Sequence, residues 1–172
     1  THERSSAASD VYKRQPLFLP VFDKVSDNKK KYQRKVNKAD LIILEGWCVG
    51  SKPIDSNYLK KNINDLEKIE DSNLLWRTSY NKALVEYQKV FKKFNYFIYI
   101  KIPNWKFVID WKYKQELGLR SSNSNNHLKK KLYRFIQFYE KLTKWMFVTS
   151  PSDCNVLITL DKKQIAKKIT YK

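Results

Sequence analysis

The sequence predicts an α/β domain built on a parallel sheet, and three observations predict it. Residues 40–45, Asp-Leu-Ile-Ile-Leu-Glu, form a continuous apolar run of strand length closed by Gly46. That is how a strand buried on both faces reads. Two more strand-length runs occur at residues 96–102 and 156–160. Between the runs lie segments with helical spacing, long enough for the crossovers that parallel strands need.

Taken in order, residues 1–15 show neither a helical nor a strand period, and their Ser/Ala character differs from everything downstream. The run Ser-Ala-Ala-Ser-Asp-Val-Tyr-Lys-Arg-Gln resembles a translated sequencing adaptor, so a non-native or disordered leader without function is expected. The globular pattern begins at Pro16. Residues 17–22 are a short apolar stretch bounded and interrupted by prolines, a strand end running into a loop. Residues 26–39 read as a lysine-rich, weakly helical connector, and residues 58–69 as a short helix. Tyr80, Leu84, Tyr87, Phe91 and Phe94 alternate spacings of four and three, which makes one apolar helical stripe. The strand at residues 96–102 is stopped by Pro103. A helix is predicted over residues 107–117, with Gly118 as its stop, and a polar loop over residues 121–126. Leu128, Leu132, Phe135, Ile136, Tyr139, Leu142 and Met146 share one helical face. A short lysine-rich helix is expected after the strand at residues 156–160. There is no internal repeat.

Composition narrows the function classes. The 172 residues suit one domain, and 42% hydrophobic and 15% aromatic content can bury a core. No apolar run approaches the ~20 residues of a membrane-spanning helix, and no secretory h-region follows the first basic residues. Cys48 and Cys154 are the only cysteines, too few for a disulfide framework or a zinc site, so a reduced cytoplasmic setting is expected. The net charge of +18 attracts phosphates of any kind. Lysine dominates that charge, however, and only six arginines are present. Specific phosphate and base readers favour the arginine fork, and the Lys, Asn, Ile and Tyr bias fits an AT-rich coding sequence. The aromatics fall on core stripes, not on a base-stacking platform. Nucleic-acid binding is therefore not expected.

Ligands of open α/β sheets bind beyond the carboxyl ends of the strands. That rule picks out residues 22–24, residues 45–50, the segment after Ile102 and the loop after Leu160. Glu45 stands out, since a carboxylate ending a buried strand before a glycine is where phosphoryl-transfer enzymes hold Mg²⁺ or its waters. The same pattern also describes an ordinary strand-terminal acid facing solvent. Cys48 has no nearby histidine to activate it.

The surrounding words add a resemblance. Leu-Pro-Val-Phe-Asp-Lys-Val-Ser-Asp-Asn at 19–28 and Glu-Gly-Trp-Cys-Val-Gly at 45–50 resemble segments of the D-glycerate 3-kinase family. Ile63-Asn64-Asp65-Leu66-Glu67, Trp76-Arg77, Asn81, Trp111 with Gln115-Glu116, and residues 135–143 follow in the family's order. The resemblance covers residues 16–160 and extends to P-loop kinases acting on uridine, pantothenate and phosphoribulose. It implies a P-loop NTPase-type parallel sheet flanked by helices, ATP and Mg²⁺ as cofactors, and D-glycerate as the acceptor. It also implies Glu45 as the catalytic acid that positions Mg²⁺, directly or through water. Phe22, Asp23, Lys24, Trp47 and Arg77 would bind substrate, with Lys24 facing the glycerate carboxylate. Trp111, Lys112, Gln115 and Glu116 would form a lid that excludes water. The family pattern has arginine where this chain has Lys112, which keeps the charge and loses the planar fork.

One family motif is missing. Gly-x-x-x-x-Gly-Lys-Ser/Thr occurs nowhere, and Gly46, Gly50 and Gly118 are the only glycines, too few to cradle a triphosphate in backbone amides. Residues 16–172 are therefore expected to be the C-terminal part of a single P-loop kinase domain, an incomplete sheet inactive by itself. The strand ending at Glu45 would then lack its central neighbour, which exposes apolar faces and unpaired backbone. Two other readings stand beside this one. The acceptor could be uridine or pantothenate on the same fold, or the chain could be a non-catalytic basic module for nucleic acid or acidic lipid.

Overall fold

The computed structural model describes residues 16–23, 26, 28–37, 39–119 and 126–172, which fall into two compact units dividing between Glu45 and Gly46. The expected leader at residues 1–15 and most of the polar loop at 121–126 lie outside the described residues. No helix among those described is long and apolar enough to cross a membrane.

In the first unit, β1 (Leu17–Asp23) pairs antiparallel with β2 (Asn28–Val36), from Leu17 opposite Val36 to Asp23 opposite Asn28. The register breaks between Pro20 and Phe22, where a proline ring cannot donate to the ladder. β2 replaces the helical connector anticipated over residues 26–39. Lysine's helix propensity is a weak preference, and the adjacent β1 edge offers backbone partners that override it. Residues 41–44 also depart from expectation. They form no strand, and Leu41, Ile42 and Ile43 are 76, 78 and 79% exposed. An apolar run becomes a strand only where a neighbour takes its N–H and C=O groups. In this unit β1 and β2 pair with each other, and residues 41–44 have no pairing among the described residues.

The second unit contains the rest. Helices α1 (Ser56–Lys60) and α2 (Asp65–Ile69) replace the single short helix read over residues 58–69. Asp55 caps α1 by accepting from the Asn57 and Tyr58 amides, and Asn64 caps α2 by accepting from the Glu67 amide. The stripe helix α3 (Leu75–Phe91) follows, then β3 (Ile98–Lys101), α4 (Lys106–Leu119), the long α5 (Asn126–Asp153), β4 (Val156–Leu160) and β5 (Ala166–Tyr171). α4 continues past Gly118 to Leu119. The sheet order is β3-β4-β5, with β3 and β4 parallel and β4 and β5 antiparallel. β3 and β4 have the expected parallel pairing, and β5 adds an antiparallel edge strand to it.

β5 stands where a lysine-rich helix was anticipated. Its cause is a tight turn: Asp161 Oδ1 accepts from the Lys163 and Ile165 amides at 2.8 and 2.9 Å, and Gln164 takes a φ of 66°. Asp161 folds the chain back on β4 before a helix can start. The core of this unit lies under α5. Ile54, Leu84 and Leu142 cluster at one place, and Tyr99, Met146 and Cys154 at another.

Gly50 takes a φ of 77°, and a Cβ there would sit 2.5 Å from Phe97 Cζ. We expect Gly50→Ala to lose about 1–3 kcal/mol of stability in urea melts, from left-handed strain and displacement of the Phe97 ring. Burial pushes the Tyr99 hydroxyl up to about 12, from an ordinary 10.0. The folded chain then keeps a proton that the unfolded chain releases. Stability should be intact below pH 10.0 and fall as pH rises toward about 12. A series of urea midpoints across that window should show the decline, and Tyr99→Phe should make it shallower without abolishing it, because burial also raises the Tyr80 and Tyr58 hydroxyls.

Candidate functional site

The turn carrying Trp47 is closed by the Val49 amide donating to the Gly46 carbonyl at 3.4 Å, and the turn after it by the Ser51 amide donating to the Cys48 carbonyl at 3.0 Å. Trp47 lies against α5. Its Nε1–H donates to Thr143 Oγ1 at 2.7 Å, and that hydroxyl donates to the Tyr139 carbonyl at 2.8 Å. The indole meets the Tyr139 ring edge-on, with centroids 4.7 Å apart. Trp47 thereby becomes one wall of a cleft of about 460 Å³ shared with α3 and α5. Trp76 forms another wall, with edge contacts to Tyr80 and Phe138 at 5.1 Å each. None of the lining residues is charged, so the cleft suits an apolar or aromatic group and offers no cation to a carboxylate. Burial pushes the neighbouring Cys48 thiol up, away from the reactive thiolate.

Arg77 is not placed as a substrate-binding residue. It is 0% exposed, and all five of its N–H donors are committed. Nε donates to Asp71 Oδ2 at 2.7 Å, Nη1 to the Leu59 carbonyl and Glu67 Oε2, and Nη2 to the Glu67 and Asp71 carbonyls. An arginine so saturated has nothing left for an anionic ligand. Asp71 also accepts from the Trp76 and Arg77 amides, capping the first turn of α3. Lys141 completes the cluster from α5. Its Nζ lies 3.2 Å from Glu67 Oε2 and donates to the Tyr58 and Lys61 carbonyls. Loss of water around it lowers the Lys141 pKa, against the pull of Glu67.

The remaining expected site residues are distributed as follows. Trp111, Lys112, Gln115 and Glu116 lie together on α4, where Lys112 Nζ reaches Glu116 Oε1 and Gln115 Oε1 at 3.1 Å each. Trp111 stacks on Phe107 and donates its Nε1–H to the Lys162 carbonyl at 3.2 Å, tying this helix to the β4–β5 turn. Phe22 and Asp23 end β1 in the first unit, opposite Lys29 and Asn28, and the Phe22 ring is exposed. Lys24 lies outside the described residues. Glu45 is exposed at the end of an unpaired segment, not at the end of a strand. Among the described residues no group of three or more His, Cys, Asp or Glu could hold a metal. One carboxylate such as Glu45 is nonetheless what Mg²⁺ accepts when phosphates and water fill its shell.

Sequence reasoning missed Glu67, Asp71 and Lys141 as a unit, because nothing marks a buried lysine among so many exposed ones. It also missed the cleft, although the helical stripes containing Tyr80 and Tyr139 held half of its lining. Three other polar residues of the motif segments turn out to brace the fold. Asn81 exchanges two hydrogen bonds with the Ile54 backbone. Gln137 accepts from the Leu66 amide, and Glu140 from the Asn64 side chain.

No protein-family model matches the chain. It is similar to an uncharacterized kinase, mug58, of Schizosaccharomyces pombe, 29% identical over 100 residues, which is 57% of this chain and 35% of that one. Among solved structures it is similar to the D-glycerate 3-kinase of Cryptococcus neoformans var. grubii serotype A. That likeness has a TM-score of 0.67 at 18% identity, and covers 91% of this chain and 60% of the other. It is also similar to the YGR205w protein, with a TM-score of 0.63 at 17% identity over 96% of this chain and 61% of that one. The chain has the fold of part of these proteins, and it spans only a fraction of each relative's length.

Removing one member of the buried cluster leaves the others unpaired away from water. Asp71→Ala should therefore cost about 3–5 kcal/mol in urea melts. Lys112→Ala, which breaks only a partly exposed pair, should cost about 1 kcal/mol or less.

Proposed function

We propose that this chain is the C-terminal part of an ATP-dependent small-molecule kinase whose acceptor is D-glycerate. One observation carries the reading: the fold follows a D-glycerate 3-kinase over 91% of this chain. The Glu-Gly-Trp-Cys-Val-Gly segment at 45–50 and the similarity to a curated kinase support it. In the completed enzyme a hydroxyl oxygen of the acceptor would attack the γ-phosphorus of ATP. The bond to the bridging oxygen would break toward ADP, and the hydroxyl proton would leave to water or a base. Such transfers depend on positioning and charge neutralisation, without a covalent enzyme intermediate.

In this reading Glu45 would hold Mg²⁺, directly or through water, and the ion would neutralise charge on the transferred phosphoryl group. Phe22, Asp23 and Lys24 would line the acceptor pocket, with the Lys24 ammonium meeting the carboxylate. Trp47 would shape the pocket floor. Trp111, Lys112, Gln115 and Glu116 would form the lid, and the Lys112–Glu116 pair would open as Lys112 turned to a phosphate. Arg77 is assigned to the framework.

The test is a coupled ADP-release assay. The 172-residue chain by itself should show no ATP-dependent turnover. A protein extended by the rest of the kinase domain should turn over D-glycerate in preference to uridine and pantothenate. In that extended protein Glu45→Gln should lower kcat by roughly 100-fold or more. Turnover of uridine or pantothenate in preference to D-glycerate would replace the acceptor, and unchanged kcat in Glu45→Gln would remove Glu45 from the mechanism.

A further inference from the structure

The phosphoryl transfer proposed above leaves most of the aromatic cleft without a role. The cleft holds about 460 Å³, a size typical of small-molecule sites. None of its lining residues is charged, so neither a carboxylate nor a phosphate would find a counter-charge in it. Trp47, Tyr87 and Phe135 border it and are 45, 48 and 45% exposed. Three half-open rings around one hollow offer an apolar occupant a large area to cover.

The walls are held in place before any ligand arrives. Thr143 fixes the Trp47 indole through its Nε1–H, and Trp76 packs edge-on against Tyr80 and Phe138. The residue after Trp76 is Arg77, whose guanidinium is locked into the buried charge cluster. A slot with fixed walls loses little freedom when it is filled. Tyr80 supplies a polar contact. Its ring lines the cleft, yet its hydroxyl is buried and has no hydrogen-bond partner among the described residues. Burial, and next the charge of Glu67, push that hydroxyl well above its ordinary range, so it stays a neutral group that can donate or accept. A buried hydroxyl without a partner is destabilising, and a ligand with a matching polar edge would relieve it.

We propose that the cleft is a binding site for an uncharged, flat heteroaromatic ring that packs against its aromatic walls and hydrogen-bonds to the Tyr80 hydroxyl. Charged molecules are disfavoured because nothing in the lining compensates their lost hydration. Purely hydrocarbon ones leave Tyr80 unpaired. The site lies wholly within the second unit and does not rest on the kinase reading.

The experiment is isothermal titration calorimetry of the 172-residue chain with indole, and with indene, which has the same shape and no N–H. Indole should bind one-to-one, and indene roughly fivefold more weakly. Tyr80→Phe should bring indole down to the level of indene. It should leave the urea midpoint unchanged or raised, since it removes a hydroxyl that nothing satisfies. Ala83 lines the cleft and is exposed. Ala83→Trp should fill the cleft with its own ring and weaken indole binding by roughly tenfold or more, with a cooperative urea melt showing that the chain still folds. Absence of indole binding, or binding indifferent to Ala83→Trp, would overturn the site. Equal binding of indole and indene, or full indole affinity in Tyr80→Phe, would overturn the hydrogen bond and with it the heteroaromatic class. Displacement of indole by D-glycerate would also overturn the proposal, by making the cleft the acceptor pocket. Indole binding that D-glycerate leaves untouched would support it whatever the kinase assay returns.

Discussion

The second unit depends on one buried electrostatic knot, in which Asp71 and Glu67 face Arg77 and Lys141. Two anions and two cations balance there, away from water, and backbone carbonyls take up the remaining donors. Such a cluster gains little over a well-packed apolar core, but it tolerates the loss of no single member. It joins the end of α1, all of α2, the first turn of α3 and the middle of α5. Of these, α3 and α5 also line the aromatic cleft, so the two helices carrying Trp76 and Tyr139 are braced by charges that never touch the cleft.

This arrangement changes how the motif segments are understood. Trp76-Arg77, Asn81, Gln137 and Glu140 stand in order along the chain like parts of an active site. In the fold each satisfies a backbone group, a neighbouring acid or an aromatic wall. Glu45 and Trp47 flank the boundary between the two units, with Glu45 exposed and Trp47 anchored through Thr143. The indole is thereby held in one orientation as a cleft wall.

Legibility followed the source of each element's stability. The helices α3 and α5 were readable because their apolar spacing is the cause of their burial. The strands β3 and β4 were readable from β-branched runs stopped by Pro103 and Asp161. β2 and β5 were not, because lysine-rich segments carry no period of their own and became strands through a neighbour's edge and, for β5, through the Asp161 turn. Residues 41–44 failed in the opposite sense: the pattern of a buried strand was present, and the pairing that makes a strand was not. Among the site residues, Trp47 lines the cleft, and the group on α4 is partly exposed. Arg77 does not, since its functional look and its structural role use the same guanidinium.

The five committed donors of Arg77 also bear on how this sequence can drift. The chain has 35 basic residues, and all but six are lysine, a composition that fits a coding bias toward one of two exchangeable cations. At an exposed position that exchange costs almost nothing. At position 77 a lysine would bring three donors on a flexible stem to a cage shaped for five in a plane. Two acceptors would be stranded without solvent. An exchange that is nearly neutral elsewhere in the molecule is therefore costly at this site, where the fold needs the planar fork and not merely a positive charge.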